Sequence, residues 1–138
     1  MPRSGTIFIV EDDDEDYELM RVAFEKSGSA ARLLRARDGE ELLASLAAHS
    51  QAPAGAVILL DLRLLGTSGF DVLARLKREA KSRAVPVLVL TTSANEADVA
   101  RAYELGACSY FQKPASFSAL REFCALIEQY WFRSALLP

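Results

Sequence analysis

Asp61 ends the run Ala56-Val57-Ile58-Leu59-Leu60, five apolar residues with no alternation. Such a run reads as a strand covered on both faces, and the carboxylate at its end as a strand cap or a reactive group. Taken on one strand alone, the cap is the simpler reading. Three other apolar runs end in the same manner. Thr6-Ile7-Phe8-Ile9-Val10 leads into Glu11, Asp12, Asp13 and Asp14; Pro86-Val87-Leu88-Val89-Leu90 into Thr91, Thr92 and Ser93; Cys108-Ser109-Tyr110-Phe111 into Gln112, Lys113 and Pro114. In a parallel sheet all these carboxyl ends lie on one side, where open α/β folds bind ligands. Glu11, Asp12, Asp61, Thr91 and Lys113 then surround one crevice. Clustered carboxylates raise one another's pKa unless something neutralises them. A hard divalent cation with oxygen ligands, Mg²⁺ above all, does so. With an amine from Lys113 and a hydroxyl from Thr91, the set suits one task, accepting a phosphoryl group on a carboxylate and holding it. A cap reading accounts for Asp61 alone far better than for all five strand-end groups.

The elements that must deliver these groups are legible in order. Tyr17, Leu19, Met20, Val22, Ala23 and Phe24 recur mostly at helical spacing, and Gly28 closes that helix. Residues 31–36 form a less apolar strand suited to a sheet edge. Asp38 caps a helix carrying Leu42, Leu43, Leu46 and Ala47, and residues 51–55 loop back to the Asp61 strand. Ser68 and Asp71 are placed to cap a helix over about 70–80, Asn95 caps one reaching Leu105 before Gly106, and a last helix spans about 117–132. Strand and helix alternate five times, which predicts one doubly wound α/β domain with a parallel sheet and right-handed crossovers. The expected strand order is the flavodoxin-like 2-1-3-4-5. One domain is expected over residues 1–138, its core over about 5–130 and a tail over 131–138.

Composition and spacing exclude several classes. The chain of 138 residues is 51% hydrophobic and 25% charged, with a net charge of -3, so nothing favours nucleic acid or an acidic membrane surface. No apolar run approaches the ~20 residues of a membrane span, and the first residues lack a signal peptide's apolar region. Cys108 and Cys124 are too few for a disulfide scaffold or a zinc site, and both read as small, reduced core residues of a cytoplasmic protein. His49, the only histidine, lies in no nucleophile or metal pattern and reads as a surface residue. A calcium loop of EF-hand type fails, because Tyr17 stands where glycine is needed and Ala23 where glutamate is needed. A flavin-mononucleotide site fails because four acids follow the first strand where a phosphate cradle belongs. A phosphatase acting through an aspartyl-phosphate needs a second acid two residues after Asp61, and that position is Arg63. What remains is an acceptor whose modified state persists.

Val10-Glu11-Asp12, Leu60-Asp61-Leu62, Gly69, Leu90-Thr91-Thr92, Glu104-Leu105-Gly106-Ala107 and Lys113-Pro114, in this order and spacing, resemble the receiver domain of bacterial two-component response regulators. The resemblance implies that Asp61 accepts the phosphoryl group from a histidine kinase, and that Asp12 binds Mg²⁺ directly and Glu11 through water. It implies further that the main-chain carbonyl of Arg63 completes the ligands, that Thr91 and Lys113 contact phosphoryl oxygens, and that Tyr110 is the aromatic partner of the switch. It also implies a cis Lys113–Pro114 peptide. Such a protein is not an enzyme beyond its own phosphorylation and dephosphorylation. Leu90-Thr91-Thr92-Ser93 and the tail from Tyr130 to Pro138 resemble small single-domain regulators encoded with phytochrome-type kinases. Leu65 and Ser68 depart from the family's usual proline and acid. Arg63 and Ser93 flank the site and are expected to set the dephosphorylation rate. No output domain is expected after the last helix, and output is expected by protein contact. The alternatives are a phosphoryl sink or relay that exchanges with a histidine phosphotransfer protein, and an interaction module independent of phosphorylation. The apolar tail either packs on its own domain or makes a homodimer or kinase contact.

Overall fold

Five strands, β1 (Thr6–Val10), β2 (Arg32–Ala36), β3 (Ala56–Leu60), β4 (Val87–Thr91) and β5 (Ser109–Gln112), pair in parallel in the order β2-β1-β3-β4-β5. This is the flavodoxin-like order expected from the sequence. The computed structural model describes residues 5–49 and 55–138, so the amino-terminal residues before Gly5 and most of the loop expected over 51–55 lie outside the described residues. Along β1 and β4 every residue is buried, as is β3 beyond Ala56, which is why these runs show no alternation. The edge strand β2 is only partly covered and reads accordingly, with arginine at both Arg32 and Arg35.

Helices α1 (Asp14–Lys26), α2 (Gly39–Ala48), α3 (Gly69–Arg78), α4 (Glu96–Glu104) and α5 (Phe117–Ile127) cover the two faces. Alternate strand residues divide between two cores, as the period of two requires. Phe8, Val10, Ile58, Leu60, Val87 and Val89 pack with Leu42 of α2, Leu73 and Leu76 of α3 and Ala102 of α4. Ile7, Ile9, Val57, Leu59, Leu88 and Leu90 pack with Phe24 of α1 and Cys124 and Ile127 of α5. Each helix opens on a side chain that accepts from its first turn: Asp13, Asp38, Ser68, Asn95 and Ser116. His49 is half-buried at the end of α2, its Nδ1 2.8 Å from the Ser45 carbonyl.

Two expectations need correction. Burial pushes the Cys124 thiol up to about 12, but Cys108 is exposed rather than in the core, because it stands before the edge strand β5. The last helix does not run evenly to Phe132. It widens after Ile127 into a π-helical segment, Glu128–Ser134. Here the buried Glu128 carboxylate accepts from Ser29 Oγ at 2.9 Å, and the Phe132 ring packs against Gly5, where a side chain would collide with it. Leu137 covers Gly55 in the same way. The tail therefore packs partly on its own domain.

Candidate functional site

The main-chain ladder runs one residue beyond each strand at the carboxyl edge. Glu11 N donates to Ala36 O, Asp61 N to Val10 O and Lys113 N to Thr91 O at 2.7 Å. Ladder bonds at this point leave little freedom in where the three side chains begin, and they converge. Lys113 Nζ stands 2.8 Å from Asp61 Oδ2, 2.6 Å from Glu11 Oε1 and 3.1 Å from Asp16 Oδ2. Asp61 Oδ1 accepts from Thr91 Oγ1 at 3.1 Å and from the Arg63 main-chain N–H at 2.9 Å. Asp61 and Glu11 are 6% and 2% exposed, and Thr91 is fully buried. Below them a cavity of about 10 Å³ is walled by Ile9, Val10, Met20, Leu59 and Leu90, an apolar floor that deprives both carboxylates of water.

The electrostatics follow from that floor. Burial pushes the Glu11 carboxyl above its ordinary range, even though the hydrogen-bonded Lys113 pulls the other way. For Lys113 burial works to lower the ammonium, but the carboxylates of Asp61 and Glu11 outweigh it and hold it well above its ordinary range. One cation thus serves two buried anions, and Glu11 still lacks full compensation.

The loop after β3 completes the crevice. Arg63–Leu64 pairs antiparallel with Thr67–Ser68 around Leu65 and Gly66, the latter at φ +77°. At its tip the Leu65 N–H donates to Asp12 Oδ2 at 2.6 Å. That bond gives the residue at 65 a job a proline, which has no N–H, could not fill. Gly69 packs against the Leu62 backbone and the Asp61 carbonyl, where even a methyl group has no room.

The structure brings Glu11, Asp61, Thr91 and Lys113 together as the strand ends suggest. Asp12 is beside them but turned to Leu65, and among the described residues no three acidic, histidine or cysteine side chains stand gathered for a metal ion. The rest of the acidic run is helix capping: Asp13 accepts from the Asp16 N–H, and Asp14 pairs with Arg35 and Arg37. Arg63 is exposed. Ser93 directs its hydroxyl to Asp98 Oδ2 at 2.8 Å rather than to Asp61, while its carbonyl accepts from Tyr110 OH at 2.9 Å. The Lys113–Pro114 peptide is trans, against the cis bond that the resemblance implies. Trans is the favoured isomer for such bonds by about 0.5–1 kcal/mol, and in this form Lys113 reaches both carboxylates. Sequence reasoning missed Arg35 and the Leu65 amide. An arginine in an edge strand reads as solvated, and a main-chain donor has no signature in side-chain type.

The family model of the response regulator receiver domain matches residues 7–125. The chain belongs to this family. Membership makes the receiver a signalling protein rather than an enzyme. It is 39% identical over 127 residues to the "Probable methanogenesis regulatory protein FilR2" of Methanothrix harundinacea, covering 91% of this chain and 82% of the relative. It is 35% identical to the response regulator Rcp1 of Synechocystis, over 96% of this chain and 92% of Rcp1. The crystal structure of the Mn²⁺-bound form of Rcp1 superposes with a TM-score of 0.82, covering 96% and 98% of the two chains. The phosphorylated cyanobacterial phytochrome response regulator RcpA superposes with a TM-score of 0.86 at 35% identity, covering 99% of each.

Proposed function

We propose that Asp61 of this receiver, acting in the cytoplasm, accepts a phosphoryl group from the phosphohistidine of a phytochrome-type histidine kinase, and that the altered surface carries the signal. The observation that carries this reading is the buried Asp61 carboxylate held between Lys113 Nζ and Thr91 Oγ1 at the rim of the sheet. The likeness to RcpA, a phosphorylated phytochrome regulator, supports the donor class. In the transfer an Asp61 oxygen bonds to phosphorus as the phosphorus–nitrogen bond breaks, and its electron pair returns to the imidazole. Transfer of this kind needs positioning and charge neutralisation more than covalent help from the protein.

Glu11, Asp12, Asp61 and the Arg63 carbonyl are all hard oxygen donors, and the incompletely neutralised Glu11 fits a site that takes further positive charge. These residues would hold Mg²⁺, which neutralises charge on phosphoryl oxygens when bound. Lys113 and Thr91 then exchange their bonds to the carboxylate for bonds to the phosphoryl group. Because Tyr110 OH is tied to the Ser93 carbonyl two residues beyond Thr91, a shift of Thr91 reaches Tyr110 and the face formed by α4, β5 and α5. The exposed Leu126 and Tyr130 beside this face, with the exposed Leu136 of the tail, form a homodimer contact.

Incubation with a radiolabelled small-molecule phosphodonor tests the assignment. Label is expected on the wild type with Mg²⁺, and is lost with a chelator or in Asp61→Asn. Equal labelling of the wild type and Asp61→Asn would sink it.

A further inference from the structure

Arg35 reaches from the edge strand β2 across the end of β1, and its side chain is only 17% exposed. Its Nε donates to the Glu11 carbonyl at 3.1 Å, and one terminal nitrogen lies 2.7 Å from Asp14 Oδ1. The guanidinium carbon stands 4.9 Å from the centre of the Tyr17 ring. The other terminal nitrogen is buried with no acceptor. A plain salt bridge to Asp14 plus cover for Tyr17 would account for two of these contacts. It does not account for a guanidinium held so deep that one nitrogen forgoes its hydrogen bond, which is unfavourable by itself. The Glu11 carbonyl contact does. Glu11 N already donates to Ala36 O, so the peptide groups on both sides of Glu11 are tied to consecutive residues of β2. From that fixed backbone the Glu11 carboxylate points to Lys113 and the Asp12 carboxylate to Leu65. Asp14 is meanwhile drawn outward, its Oδ1 shared by Arg35 at 2.7 Å and Arg37 at 2.9 Å.

We infer that Arg35 is a positioning residue for the divalent-cation site, fixing the Glu11–Asp12 backbone and keeping Asp14 out of the cluster. The inference rests on the proposed phosphoryl-acceptor function. A guanidinium is needed because its planar fork serves two acceptors at once, which an ammonium on a flexible stem does poorly.

The sign of the effect separates positioning from charge. Removing a positive charge near a cation site tightens cation binding by simple electrostatics. Loss of a residue that orients ligands weakens it, by about 10- to 100-fold for groups one shell removed from the metal. Calorimetric titration of MgCl₂ into the folded full chain, well below its unfolding temperature, is expected to show about 10-fold weaker binding in Arg35→Met. Arg35→Lys, which keeps the charge, is expected to weaken binding as well, and it replaces Arg35→Met as the deciding variant if the latter does not fold. A merely structural role would lower the unfolding temperature and leave the Mg²⁺ affinity of the folded protein unmoved. Unchanged or tighter binding in the deciding variant would overturn the inference while the acceptor reading stands. Wild-type protein that takes up no Mg²⁺, or whose uptake Asp12→Asn leaves unchanged, would remove that reading and the inference with it.

Discussion

With its Nζ within hydrogen-bond reach of both Glu11 and Asp61, Lys113 compensates two anions that the apolar floor deprives of water. Its own raised pKa contributes stability that is complete below the unfolded value of 10.5 and is lost only as the pH rises past that into strong base. In Lys113→Met the burial of Glu11 is opposed only by the Asp13 N–H, and its carboxyl rises further above the unfolded value of 4.5. The folded state then binds protons more readily than the unfolded one, so stability is lost as the pH rises from that unfolded value through the raised folded one. Breaking such a buried pair costs about 3 kcal/mol. Urea unfolding is expected to show a deficit of that order for Lys113→Met at pH 7 and a smaller one at pH 5. A deficit equal at both would show that the charge balance is not the cause.

At the scale of elements, the segment from Asp61 to the start of α3 determines how the acceptor is presented. Its two ends are joined at Gly69, whose N–H donates to Leu62 O at 3.0 Å and whose missing side chain admits the Asp61 carbonyl. In Gly69→Ala the new carbon would lie 2.5 Å from that carbonyl oxygen, and no side chain can rotate to relieve it. The backbone must move, at a cost of about 2 kcal/mol for overpacking, and the Arg63 N–H moves away from Asp61 Oδ1. Slower phosphorylation together with lower stability is expected for Gly69→Ala. By contrast Gly28, at φ +82° after α1 with open space around it, is expected to lose about 1 kcal/mol on substitution by alanine without any change in phosphorylation. Comparing labelling rates and urea midpoints of the two variants checks both.

Across the whole molecule, the chain's end closes the sheet at the edge opposite the site. Phe132 is buried against Gly5, Leu137 lies over Gly55, and Glu128 reaches Ser29 between α1 and β2. Tyr130 and Leu126 point outward, and Leu136 is 90% exposed. Buried and exposed apolar residues thus alternate within one segment, and the proposed dimer contact falls to the exposed ones. Phe132→Ala is expected to lose about 3 kcal/mol of stability, as large-to-small changes in a core do. Tyr130→Ala, at an exposed position, is expected to leave stability within about 0.5 kcal/mol and to lower the mass measured by light scattering from dimer to monomer. A wild-type mass that is already monomeric would remove the dimer from the proposal and leave the Phe132 expectation standing.

The order of strands, the caps Asp38, Ser68 and Asn95, and the convergence of Glu11, Asp61, Thr91 and Lys113 were legible in the sequence because each depends on local patterning. Uninterrupted apolar runs demand burial on both faces, and parallel pairing then puts every run's last residue at one edge. What the tertiary structure alone decided are contacts whose partners lie far apart in the chain or on the main chain. The Leu65 amide on Asp12 and Arg35 on the Glu11 carbonyl follow from how loops close, not from residue type. The same holds for the tail: its apolar content was plain, but that Phe132 and Leu137 are the residues facing inward depended on two glycines at the start of β1 and β3. Local physics determined which groups meet at the sheet edge, and packing between distant segments determined how each is aimed.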